Sequence, residues 1–108
     1  MPERKKTVKL QSTRAQGKDS WVEVVPLTVR GSREFRGRLE AADNTEAREA
    51  ILLAELCAHI VAWNWVDEDG KPLPSPQQEP EVLEGLTSRE VIFLRDALNG
   101  GDEQELKN

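Results

Sequence analysis

The chain is poor in the residues that carry covalent and metal chemistry. Among its 108 residues are one cysteine, Cys57, and one histidine, His59. A single cysteine closes no internal disulfide, which suits a reducing cytoplasm and excludes a disulfide-stapled secreted scaffold. No apolar run approaches the roughly 18 residues of a membrane span. The opening Met-Pro-Glu-Arg-Lys-Lys is basic but leads into no apolar stretch, so no secretory signal is expected there. A glycine-rich phosphate loop of recognised spacing is also missing.

These shortages bear directly on catalysis. A nucleophile needs a base within reach and usually a group that orients it. Cys57 and His59 stand two apart on one expected helix, about 200° round its axis, and so form no dyad there. Cys57 reads as a small core residue, and His59, four residues after Glu55, as a partner in a surface or interface pair. Asp67, Glu68 and Asp69 before Gly70 faintly echo a calcium loop, but such a loop needs a glutamate at its twelfth position, where this chain has Gln78. An acidic turn is the better reading. The expectation is a protein that is not an enzyme and uses no metal or cofactor.

What is present is charge, unevenly spread. Charged residues make up 32% of the chain, with a net charge of −5. Residues 1–38 carry a balance of +6, and residues 49–108 one of −9. That asymmetry suits a nucleic-acid arm, head-to-tail contact between copies, docking onto a charged partner, or simply a solvated surface. The basic contact surface, if used, would comprise Arg30, Arg33, Arg36 and Arg38, joined by Lys5, Lys6 and Lys9. The thin aromatic interleaving there, Trp21 and Phe35, and the overall acidity argue against nucleic acid as the partner.

The pattern along the chain implies an α+β fold, mainly helical, with an N-terminal β-hairpin packed on a central apolar helix beside two shorter helices. Residues 1–6 read as a basic tail, 7–99 as one domain and 100–108 as a polar tail, with Gly100-Gly101 stopping the last helix. Val8 and Leu10 alternate with polar neighbours, and Trp21 to Val25 is rich in strand formers; with the turn between them they form a hairpin over 7–26, stopped by Pro26. Ser32 is a candidate N-cap for a helix over 32–41, with Phe35 and Leu39 on one face and Gly37 weakening it. Asp43 and Glu46 resemble a capping box opening a central helix over 44–64. From Ala50 to Trp65 the run is apolar nearly all round, its polar positions being Glu55, His59 and, near the end, Asn64, with Arg48 on the same narrow stripe as Glu55 and His59, as expected of a helix that is central or covered by a partner. An acidic turn at Gly70 and a proline-rich connector over 71–80 follow. The last helix, 87–98, opens with a Thr87–Glu90 capping box. Its face is Val91, Leu94 and Leu98, with Ile92 and Phe93 pointing elsewhere.

The run Ala58-His59-Ile60-Val61-Ala62-Trp63-Asn64-Trp65-Val66-Asp67-Glu68-Asp69-Gly70-Lys71-Pro72-Leu73-Pro74 resembles a recurring pattern in small proteins of tailed bacteriophages, the tail assembly chaperones. In those proteins an apolar helix leads into a Trp-centred segment, an acidic Gly turn, a Pro-Leu-Pro connector and a short final helix. The hairpin followed by Leu27-Thr28-Val29-Arg30-Gly31 is similar to their start, so the likeness covers residues 8–99. Arg33, Arg36 and Arg38 make this chain more basic there than the pattern. The resemblance implies a non-catalytic role in the host bacterial cytoplasm, coating the tape-measure protein until tail-tube protein subunits assemble around it. On that reading Trp63, Trp65, Ile92 and Phe93 are the expected partner contacts, since buried aromatics dominate binding energy; the alternative for Trp63 and Trp65 is that they close the core over the hairpin. Two alternatives stand beside it. One is a small virion subunit of the tail or head–tail junction, whose apolar surface serves self-association. The other is a nucleic-acid-binding regulator using the basic N-terminal half.

Overall fold

A computed structural model describes residues 7–99; the expected tails over 1–6 and 100–108, with Lys5, Lys6 and the Gly100-Gly101 stop, lie outside the described residues. The fold is α+β and mainly helical, as the pattern implies. Its strands are β1 (Val8–Gln11), β2 (Trp21–Val24) and β3 (Ile60–Trp63); its α-helices are α1 (Thr13–Gln16), α2 (Val29–Ala41), α3 (Thr45–His59) and α4 (Ser88–Leu98). A 3-10 helix, Pro80–Gly85, precedes α4.

The hairpin forms because β1 and β2 alternate in phase. Val8 pairs with Val24 and Leu10 with Val22, so these apolar side chains share the inner face. Lys9, Gln11, Trp21 and Glu23 take the outer face, where the Lys9 ammonium sits 4.0 Å from the centre of the Trp21 ring. The turn contains a short helix, α1, and closes through Gly17 and Asp19, both at positive φ. Ser12 and Ser20 are buried there and hydrogen-bonded to one another at 2.7 Å.

The third strand is a correction. Residues 60–64 were expected to continue the central helix, but α3 stops at His59 and the chain turns into β3, antiparallel to β2, with Val22 opposite Trp63. The β-branched pair Ile60-Val61 favours strand geometry, and β2 offers an unpaired edge to complete. A bulge between Glu23 and Val24 absorbs the change of register.

Two other starts are revised. Thr28, not Ser32, caps α2, accepting from the Gly31 amide at 2.9 Å. Asn44, not Asp43, caps α3, accepting from the Ala47 amide at 2.8 Å. The capping box of α4 stands as expected, with Thr87 and Glu90 exchanging side-chain-to-backbone bonds. So does the acidic turn: Gly70 has φ +80, and the Asp67 carboxylate accepts from the Asp69 and Lys71 amides.

The core lies between the inner sheet face, α3, α4 and the connector. Leu10, Val22, Val24, Leu56, Ile60, Trp63, Trp65, Leu83, Phe93, Leu94 and Leu98 form one buried cluster. The apolar surplus expected of α3 is smaller in the folded chain. Leu52, Leu53, Leu56 and Cys57 face the cluster, whereas the exposed positions include Ala50, Ala54 and Ala58. Alanine there supports the helix and exposes little apolar area.

Candidate interaction surface

The two tryptophans of the Trp-Asn-Trp segment face the same way because the backbone there is extended, and alternate residues of an extended chain share a side. Their rings stack with centroids 4.7 Å apart and planes 6° from parallel. Phe93 tilts against Trp65 at 6.3 Å. Trp65 is 0% exposed, and its indole N–H donates to the Ser12 hydroxyl at 2.9 Å. That hydroxyl donates to Ser20, which in turn donates to the Gly17 carbonyl. Trp63 donates to the carbonyls of Leu73 and Pro74, each at 3.2 Å, and thereby fastens the proline-rich connector to the sheet. Of the expected partner contacts, Trp63 and Trp65 thus follow the alternative in which they close the core, and Phe93, expected to point away from the main face of its helix, is buried with them. Their apolar area is satisfied within the chain, and both indole donors are used there.

Ile92 is different. It is 58% exposed, and Val25, Val29 and Ile92 are the large apolar side chains left exposed among the described residues. Since α4 buries Glu90, Phe93, Leu94, Ala97 and Leu98, position 92 falls on its outward side. Beside it is an open hollow of about 460 Å³ lined by Arg14, Arg89, Ile92, Phe93 and Asp96.

A second and larger concavity, about 830 Å³, adjoins the first and shares Arg89 with it. Its apolar lining comes from Ala15, Val66, Leu73, Val82 and Leu86, and its carboxylates are Asp67, Glu68, Glu81 and Glu90. Gln16 holds this groove together. Its amide pairs in both directions with the Val66 backbone, at 3.1 and 2.9 Å, and also donates to the Glu90 carboxylate. One side chain thus joins α1, the segment after β3 and α4. Nothing in the sequence singled out Gln16, because its partners lie 50 and 74 residues away. Near the groove, burial pushes the Cys57 thiol above its usual range, with the negative charge of Glu81 adding to the effect.

The basic residues sit elsewhere. Arg30, Arg33 and Arg36 are exposed on α2, and no described carboxylate pairs with them. Arg38 is engaged with Glu55, which also meets His59 Nε2 at 3.0 Å. The other ring nitrogen of His59 lies 2.7 Å from the Val25 carbonyl, so this histidine ties α3 to the chain after β2. Lys9 is occupied by Trp21 on the sheet. The expected basic surface thus divides into three open arginines and one in a local network.

Among the described residues no group of three His, Cys, Asp or Glu side chains could hold a metal ion, and no helix is long and apolar enough to cross a membrane. Comparison of the chain with models of protein families, with curated proteins and with solved structures finds no match.

Proposed function

We propose that the chain is a non-catalytic tail assembly chaperone of a tailed bacteriophage, acting in the host bacterial cytoplasm. It binds the tape-measure protein and keeps it soluble until the tail-tube protein assembles. The link to phage tails rests on the resemblance of residues 58–74, with its order of Trp-centred segment, acidic turn, Pro-Leu-Pro connector and final helix. The observation that carries the binding role is Ile92, an exposed apolar side chain at the mouth of the hollow lined by Arg14, Arg89, Phe93 and Asp96. Exposed apolar residues beside a concavity suit an amphipathic segment laid into it.

The test is co-expression with the tape-measure protein of the same phage, reading its soluble fraction and its co-purification with this chain. Both rise with the wild type. Ile92→Asp lowers capture while leaving the unfolding midpoint nearly unchanged, since surface substitutions usually shift stability by less than about 0.5 kcal/mol. A tape measure that precipitates regardless ends the chaperone reading. Undiminished capture by Ile92→Asp moves the contact off α4.

A further inference from the structure

The acidic groove and the open arginines of α2 are complementary surfaces on one molecule. Val29, Arg33 and Arg36 recur at spacings of four and three, so they share one face of α2, with Arg30 beside it. Val29 is 78% exposed, the most exposed of the large apolar side chains described. This face therefore presents an apolar knob among cations that no described carboxylate pairs with. The groove offers the converse, an apolar floor of Val82 and Leu86 edged by the exposed carboxylates of Glu68 and Glu81.

A molecule does not satisfy its own groove. The groove opens at the N-terminal end of α4, by Thr87 and Glu90. The start of α2 is fastened at the other end, where the Leu27 amide donates to the Leu98 carbonyl at 3.2 Å and the Ser32 hydroxyl to Asn99. From Glu90 to Leu98 the helix advances about 12 Å at the rise of an α-helix.

We infer that a second copy of this chain occupies the groove, inserting the Val29–Arg33–Arg36 face of its α2 between Glu68 and Glu81. The two surfaces stand towards opposite ends of α4, and in this contact each copy gives its α2 face to one neighbour and its groove to another, a heterologous arrangement that builds chains or rings. It is also reversible and salt-sensitive, because exposed charges supply much of its attraction and are screened over about 10 Å at 0.1 M salt and about 3 Å at 1 M. This association stands apart from tape-measure binding, and neither requires the other.

Sedimentation velocity of the full chain over a range of concentrations tests it. At low salt the weight-average mass rises beyond that of a dimer, and at about 1 M salt it falls towards the monomer. Arg33→Glu with Arg36→Glu weakens association about tenfold or more, and so does Glu68→Arg with Glu81→Arg. Mixing the two variants restores it, because each then meets opposite charge on the other. A wild type that stays monomeric at low salt overturns the inference. So does a dimer that saturates, association indifferent to both reversals, or a mixture of variants that fails to associate. A monomer whose α2 arginines instead bind a short DNA duplex in a salt-sensitive way assigns that face to nucleic acid and equally overturns it. Circular dichroism of each variant checks that it folds. The tape-measure experiment reads a different partner and a different residue, so the two failures are distinguishable.

Discussion

Around Trp63 and Trp65, burial and hydrogen bonding converge on the same side chains, whereas α2 is attached by a few side chains along one face. In the first region the stacked rings fill the space between sheet and α4 while their indole donors fix the hairpin turn and the connector. Gln16 adds a third tie, to α4. In the second, Phe35 and Leu39 are buried but stand outside the main cluster. The polar links of α2 are peripheral, Arg38 to Glu55 and Ser32 to Asn99. Where packing and polar satisfaction depend on one another, the region opens only as a unit. Where they are separate, a part can open alone.

The largest expected effect breaks the first region. Trp65→Ala leaves a cavity, removes the donor to Ser12 and takes away the partner of Trp63. We expect a loss of about 3–5 kcal/mol in urea unfolding, a large part of the roughly 5–15 kcal/mol available to a small domain. A loss below about 2 kcal/mol would mean that the site collapses around the gap, and the contrast between the regions would not hold.

Phe35→Ala asks the same of the second region. The expected cost is near the lower end of the range for such truncations, about 3 kcal/mol, and its distribution matters more than its size. Hydrogen exchange should quicken across α2 while the amides of β2 and β3 keep most of their protection. Equal loss of protection in the sheet would show that α2 and the sheet form one cooperative unit.

The same contrast explains what the sequence made legible. The hairpin could be read because its alternation is confined to short segments with polar turns between them. The capping box of α4 could be read because Thr87 and Glu90 satisfy each other locally. β3 was hidden because Ile60 to Trp63 continues an unbroken apolar run, which fits a buried helix as well as a buried strand. The alternation Trp63-Asn64-Trp65 was the available clue, and only in an extended chain does it put both rings on one side. The 3-10 helix announced itself only through Pro80 at its first position followed by Glu81. The groove was beyond sequence reading, since it draws on α1, the segment after β3, the connector and α4, and pattern arguments reach only a few residues.

Gln16→Ala sharpens the comparison at the groove. It strips partners from the Val66 backbone and from the Glu90 carboxylate. A buried polar group left unpaired costs about 1–3 kcal/mol, and water entering the open groove keeps the loss at the low end of that range. Chemical denaturation measures the loss. A larger one would place Gln16 with the tryptophans as part of the unit that opens as a whole.

The smallest effect has the opposite sign and falls on α2. Gly37 stands in the middle of that helix, where glycine is about 0.8–1 kcal/mol less favourable than alanine. A Cβ built there meets nothing within 4 Å, so no neighbour in the chain requires the glycine. Gly37→Ala should therefore stabilise the chain by about 0.5–1 kcal/mol, through helix propensity and a less flexible unfolded state. Thermal unfolding reads this as a rise of a few degrees. The gain appears in full only if α2 unfolds together with the rest of the chain. If α2 opens first, the alanine slows its exchange and leaves the global transition where it was, and that outcome would confirm the separateness of the two regions more directly than any cavity in the core.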